Sequence, residues 1–339
     1  RSILQIFQTN TNKNIAPGWF LRQVLATTKR LCSLPIRLLF GITMRRSSLY
    51  LLISVIFWGI SYIAIKVVLK ELEPVEMISI RFLLAAPTLW LIIRFKRLKL
   101  WPLPMKGKLI FAAFIVFLHF WVMATGMKET SASNTAWILT TAPIFIALLS
   151  WAYLKEKFNL SQWLGLALAV VGVFALVYNG RVENLGWIHT RGDVIVLGSC
   201  VTWAIYTVGT RELTAKINPL VATFWMVCIA GLVFVPWTFA TSGFEKFVHL
   251  QMNTLLSLVF LGIFCLAIAF WLWSEGLARQ TAAEVGVYLY VEPLVTMIGA
   301  WILLGESITV WLIIGAVLIS LGGWVSEKKG KVRLQEHDV

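Results

Sequence analysis

The chain has 339 residues, of which 59% are hydrophobic and only 14% charged, with a formal net charge of +14. A soluble domain would carry about 25% charged residues, so an ordinary water-soluble protein is excluded. The basic surplus would suit a nucleic acid, but the charges stand in short clusters between long apolar runs, which argues against that partner.

In chain order, residues 1–43 stand apart. They contain no Asp or Glu and carry Arg1, Lys13, Arg22, Lys29, Arg30 and Arg37. Their apolar patch, Leu31–Thr43, is interrupted by Pro35 and Arg37 and is too short to span a bilayer. Met44-Arg45-Arg46 stands where a natural start would stand. The expectation is a basic N-terminal extension, disordered or non-native; an organellar targeting segment is the alternative.

Ten apolar runs follow: Leu49–Leu69, Pro74–Arg94, Lys106–Gly126, Ser131–Tyr153, Ser161–Tyr178, Asp193–Glu212, Pro219–Ala240, Thr254–Gly276, Ala282–Leu304 and Val310–Ser326. Each is about the length that crosses roughly 30 Å of hydrocarbon as a helix. The runs are continuous and do not alternate, so helices are expected and barrel strands are not. The predicted fold is all-α and integral to the membrane, with ten transmembrane helices. With a cytoplasmic N-terminus, seventeen Lys and Arg fall on inside segments, among them Arg94, Lys96, Arg97, Lys155, Lys216 and Lys328. Only Lys70, Lys128, Arg181, Arg191 and Lys246 fall outside. That asymmetry predicts both termini in the cytoplasm of a multi-pass inner-membrane protein.

The sequence repeats itself. Trp58, Lys66 and Pro74 match Trp203, Arg211 and Pro219 at an offset of 145. Trp121, Gly126, Ala132, Pro143, Glu156, Gly165 and Gly172 match Trp271, Gly276, Ala282, Pro293, Glu306, Gly315 and Gly322 at an offset of 150. The expected organisation is a first repeat over 44–180, a second over 181–326 and a basic tail over 327–339. Five spans per repeat is an odd number, so the two copies enter the membrane from opposite sides. Inverted repeats of this kind are an architecture of transporters that work by alternating access.

Charges inside apolar runs are costly and face a cavity or a partner. Lys66, Trp58 and Tyr62 fall on one side of the first span, an aromatic wall below a cation. Arg81 in the second span could hold a carboxylate or phosphate, or pair internally with Glu76. His119 in the third span is a candidate for proton coupling or a satisfied core residue. Asn134, Trp137 and Thr141 form a polar-aromatic stripe before Pro143. Glu292 precedes Pro293, whose missing amide predicts a local helix break near the midplane, as does Pro143. Tyr288, Glu292, Thr296 and Gly299 share one helical face. Glu275 and Glu284 near span ends read as gate or interface residues, and Glu275 and Glu292 are further candidates for proton coupling. Gly165, Gly172, Gly315 and Gly322 suit close helix packing. Cys200, Cys228 and Cys265 sit in apolar runs, and Cys32 lies in the extension, with no CxxC pair. Neither a metal nor a cofactor is expected, and no catalytic motif appears.

These residues resemble the EamA family of the drug/metabolite transporter superfamily. The resemblance covers about Tyr50–Val325 and is carried by Phe57-Trp58-Gly59 with Ser61, Tyr62 and Lys66, by Arg81-Phe82, and by Ala142-Pro143 with Lys155-Glu156-Lys157. In the second copy it is carried by Glu292-Pro293, Leu304-Gly305-Glu306 and Gly315. It departs at Trp203-Ala204 and at Met226, which stands where the first copy has Arg81. The resemblance implies a ten-helix inverted-repeat carrier that exports amino acids or related small metabolites from a central cavity. The expected partners are a small-molecule substrate and the lipid bilayer, with a homodimer left open. A membrane enzyme acting on a lipid or isoprenoid and a non-transporting scaffold are the alternatives.

Overall fold

The computed structural model describes residues 46–101, 103–130, 132–156, 160–178, 190–241, 250–304 and 310–327. The N-terminal extension, Cys32, Lys157, Gly305, Glu306 and residues 328–339 lie outside the described residues, as do the side chains of Asn134, Trp137 and Gly299.

Among the described residues the chain is helical, without strands. Helices α1 (Arg46–Val68), α2 (Pro74–Phe95) and α3 (Lys106–Glu129) correspond to the first three apolar runs. The fourth run is divided into α4 (Ala132–Leu139) and α5 (Ala142–Tyr153), and α6 spans Leu160–Tyr178. Then come α7 (Arg191–Lys216) and α8 (Pro219–Thr241). The next run starts as α9 (Met252–Val259), passes through a nine-residue π-helix at Phe260–Ile268, and ends as α10 (Ala269–Leu277). The ninth run is α11 (Ala282–Val287), a 3-10 turn at Tyr288–Tyr290, and α12 (Val291–Leu304). Helix α13 is Val310–Glu327.

Six described helices are long and apolar enough to cross a membrane: α1, α2, α3, α7, α8 and the continuous stretch Met252–Leu277. Shorter apolar helices accompany them, including Ala142–Tyr153 and Leu160–Gly172. The fourth and ninth runs are each divided and so are not among the six. Proline at 143 and at 293 removes an amide donor, and each run divides just before it, at 140–141 and at 288–290. The exterior is apolar, with Phe95, Leu160 and Leu232 each at least 73% exposed. In water such a surface would aggregate; against lipid it is solvated. The chain is a multi-pass membrane protein.

Helix starts follow capping chemistry. Thr190 and Asp193 cap α7 reciprocally, and Thr281 and Glu284 do the same for α11. At α2 the capping box joins Glu73 and Glu76, with Pro74 opening the helix where its missing amide costs nothing. Small residues set the close approaches. A Cβ on Gly172 would stand 2.9 Å from Gly315 O, and one on Gly322 2.6 Å from Gly165 O, so α6 and α13 pack backbone to backbone. A Cβ on Gly126 would meet Val196 and Gly192 O, bringing α3 onto α7. One on Gly276 would meet Leu51, bringing α10 onto α1.

Candidate functional site

Between the central helices lies a cavity with about 480 Å³ of empty space, its mouth included. It is built from α1 outward. Trp58 and Tyr62 are four residues apart and so lie on one face. Gly59 sits between them: a Cβ there would be 2.9 Å from Glu292 O, and Thr296 Oγ1 donates to Gly59 O at 2.9 Å. This contact draws α1 onto α12 and puts the Tyr62 hydroxyl on the Glu292 carboxylate, to which it donates. The 3-10 turn at 288–290 leads directly into α12 and places that carboxylate in its first turn.

Helix α2 contributes Arg81, which is 3% exposed. Its Cζ lies 4.7 Å from the centre of the Phe120 ring, a cation–π contact. Its Nε and Nη1 have no hydrogen-bond acceptor among the described residues. The internal partner considered for it, Glu76, is taken up by capping α2, with Oε2 accepting from Glu73 N at 2.6 Å. An unsatisfied buried guanidinium is expensive, and the cavity beside it is where an acceptor can arrive.

Helix α3 adds His119, Phe120 and Met123 to the lining. His119 Nδ1 lies 3.2 Å from Ser199 O and 3.2 Å from Thr202 Oγ1. A carbonyl can only accept, so the proton sits on Nδ1 and Nε2 is the free acceptor in the neutral ring. The walls are aromatic. Trp58 and Trp203 meet edge to face with centroids 5.1 Å apart, and Phe120 and Phe270 lie 5.6 Å apart. Trp58 Nε1 donates to Cys265 O at 3.0 Å; Trp203 Nε1 has no acceptor among the described residues.

Of the residues singled out from sequence, Trp58, Tyr62, Arg81, His119 and Glu292 therefore border one cavity. Others lie elsewhere. Lys66 donates to Met127 O at 2.6 Å, outside the lining. Thr141 Oγ1 donates to Ile138 O at 2.8 Å, within the break between α4 and α5. Tyr288 packs against the apolar core from the 3-10 turn. Glu275 pairs with Arg279 at the surface and accepts from Trp271 Nε1 at 3.0 Å, and Glu284 caps α11. Trp203, Phe120 and Phe270 escaped the sequence reading of the site. Their signal was present: each occupies an offset position, Trp203 opposite Trp58 and Phe270 opposite Phe120, but matched aromatics read equally well as packing.

A second cluster closes the end of α11. Glu156 accepts from Ala282 N at 3.1 Å and Ala283 N at 3.4 Å. Glu156 lies in the segment between α5 and α6, and burial pushes its carboxyl above the usual carboxylate range. No group of three or more His, Cys, Asp or Glu is arranged to hold a metal among the described residues.

The family model described as "EamA-like transporter family" matches this chain twice, over residues 45–178 and 190–326. An "Uncharacterized transporter" of Archaeoglobus fulgidus is 29% identical over 294 residues, covering 84% of this chain and 98% of that protein. A "Probable amino-acid metabolite efflux pump" of Salmonella typhimurium is 26% identical, covering 85% of this chain and 97% of its own length. A similarly titled Escherichia coli protein is 24% identical, covering 83% of this chain and 95% of its own length. A solved structure titled "Crystal structure of protein" superposes with a TM-score of 0.69 at 17% identity, covering 83% of this chain and 96% of that one, and so shares the fold.

Proposed function

Since the chain belongs to the EamA-like transporter family and is a transporter rather than an enzyme, we propose that it carries a small metabolite with an anionic group, export favoured, by alternating access. The observation that carries this reading is Arg81. Its buried guanidinium borders the cavity with Nε and Nη1 unsatisfied among the described residues, while the nearby carboxylate of Glu292 is engaged by Tyr62. A substrate carboxylate or phosphate would supply the missing acceptors. Glu292 would meet a cationic end of the substrate or carry a coupling proton, and the aromatic walls would hold its apolar part. Amino acids and related compounds fit this description. The efflux-pump titles of two relatives favour the same class.

The mechanism follows from ten spans arranged as two inverted five-span repeats, 44–180 and 181–326. Contacts at offset positions support the duplication. Gly126 packs on Val196 and Gly276 on Leu51, which are each other's counterparts at 150 and 145. Thr130 bonds to Asp193, and Gln280 lies 3.5 Å from Ser48, again counterparts. Trp58 and Trp203 touch each other, as do Phe120 and Phe270, which is what residues beside a pseudo-twofold axis must do. Rocking one half on the other would open the cavity to each face in turn. Both termini would lie in the cytoplasm.

The test is a thermal-shift screen of the purified protein against amino acids, nucleosides and sugar phosphates. A saturating stabiliser that carries an anionic group is expected, and its effect should vanish when that group is esterified. Stabilisation by neutral solutes alone would remove Arg81 from the substrate site.

A further inference from the structure

Two seams join the halves near the cavity, and they are bonded differently. On α1, Ser54 and Trp58 are one turn apart and both face the stretch 252–277. Trp58 Nε1 donates to Cys265 O at 3.0 Å, and the Ser54 hydroxyl lies 2.9 Å from Ala269 O across the seam and 2.9 Å from Tyr50 O of its own helix. Their counterparts 145 residues on, Ser199 and Trp203 of α7, donate nothing to α3. Ser199 Oγ donates to Val196 O of its own helix at 2.6 Å, and Trp203 Nε1 has no acceptor among the described residues.

The backbone explains the difference. Ala269 N donates to Phe264 O, an i→i+5 bond at the end of the π-helix. Returning from i→i+5 to i→i+4 pairing skips one carbonyl, and Cys265 is the residue that follows Phe264. Trp58 takes that carbonyl. The residue 150 positions before Cys265 is Ile115, in the middle of the uninterrupted helix α3. There the carbonyl belongs to the i→i+4 ladder and none is left for Trp203.

The geometry points to an exchange: Trp58 and Trp203 take turns as the indole bonded to the opposite half, and the π turn travels with the bond. In this state the turn lies at residues 260–268. In the other it lies at residues 110–118, Ile115 O accepts from Trp203 Nε1, and Trp58 is released. The proposal rests on the alternating-access reading above. Two features make it physically economical. Each state keeps one indole bond and leaves one indole N–H unpaired, so the two states stay close in free energy, as a carrier requires. The two rings are also in contact at 5.1 Å, so one cannot turn without moving the other.

The test uses the full chain in sealed vesicles of one orientation. Cys32, Cys200, Cys228 and Cys265 are replaced by alanine and Met123→Cys places a thiol in the cavity lining. A membrane-impermeant thiol reagent is then applied from each face in turn. Trp58→Phe should shift the ratio of the two labelling rates about five-fold, the worth of one neutral hydrogen bond. Trp203→Phe should shift it in the opposite direction by a similar factor. Benzothienylalanine at either position, which keeps the fused ring and lacks the N–H, should reproduce each shift if phenylalanine compromises folding. Shifts in the same direction, or an unchanged ratio with benzothienylalanine, would overturn the exchange and leave the transport reading standing. Labelling from one face only in every form would overturn alternating access itself.

Discussion

At the cavity, positions related by the two sequence offsets keep two apolar aromatic pairs and differ at the charged and hydrogen-bonding residues. Trp58 faces Trp203, and Phe120 faces Phe270. By contrast Arg81 corresponds to Met226, Glu292 to Ala142, Tyr62 to Thr207 and His119 to Ala269. The shape of the container is therefore shared between the halves, while its polarity comes from single copies. On the proposed mechanism, a rocking motion would need similar packing on both sides, and recognition of a substrate with two chemically different ends would need the opposite. The two demands would then fall on different residue types.

The largest expected effect comes from erasing one half of that contrast. Arg81→Met gives α2 the residue that α8 already has, at similar length and without charge. Loss of charge-assisted bonds worth about 1.5–3 kcal/mol each predicts a fall of about 10- to 100-fold in affinity for an anionic substrate. Binding of the stabiliser found in the screen, measured by titration, checks it. An unchanged affinity would mean that the guanidinium is structural and that the charge contrast has nothing to do with recognition.

Glu292→Ala, again the residue of the other half, should cost less in binding but act on the fold. It leaves the Tyr62 hydroxyl buried without its acceptor, a penalty of about 1–3 kcal/mol. Adding Tyr62→Phe should recover much of that loss in a thermal melt without restoring transport. If the double variant is no more stable than the single one, the Tyr62–Glu292 bond is not what the carboxylate contributes.

The shared packing can be probed in the same way. Gly126 and Gly276 are counterparts, yet their surroundings differ in kind. A Cβ on Gly126 would stand 2.9 Å from both Gly192 O and Val196 N, which are backbone. The three atoms nearest to one on Gly276 all belong to the side chain of Leu51. Backbone cannot step aside, whereas a leucine can change rotamer. Gly126→Ala should therefore cost about 1–3 kcal/mol and Gly276→Ala less, read as a difference in melting temperature. Equal losses would show that Leu51, 0% exposed, is as fixed as a main chain.

These contrasts also explain what could be read from the sequence. Apolar run length disclosed a membrane helix bundle, because hydrocarbon thickness imposes it on any such chain, and the cationic clustering agreed with it. Arg81, Glu292 and His119 stood out because a charge or imidazole in an apolar run needs a reason. The divisions at 140–141 and 288–290 fall just before Pro143 and Pro293, whereas Pro87 and Pro236 stand inside undivided helices. The π-helix at 260–268 carries no such mark: its nine residues, Phe260 to Ile268, are ordinary span residues. What marks it is a tertiary contact, the bond from Trp58 Nε1 to Cys265 O within it. The placement of Lys66 was likewise not legible. Its position on α1 matches the face of Trp58 and Tyr62, but its long stem carries the ammonium to Met127 O.

The smallest expected effect concerns Glu156, which belongs to the first half and holds the start of α11 in the second. Its carboxyl is raised by burial, so the folded protein binds the proton more tightly than the unfolded chain does. The sign follows: this group favours the folded state at low pH, and that contribution is lost as pH rises through the raised value. The two backbone amides at Ala282 and Ala283 pull the other way, since they stabilise the carboxylate. Burial is the larger influence, so melting temperature should decline slightly with rising pH above the usual carboxylate range. Glu156→Gln keeps an acceptor oxygen for the amides and removes the titration, and should flatten that slope while leaving the low-pH melting temperature nearly unchanged. A slope that survives the substitution would assign the pH dependence elsewhere. A large loss of stability at low pH would show that the shape of the side chain, rather than its burial or charge, holds α11 in place.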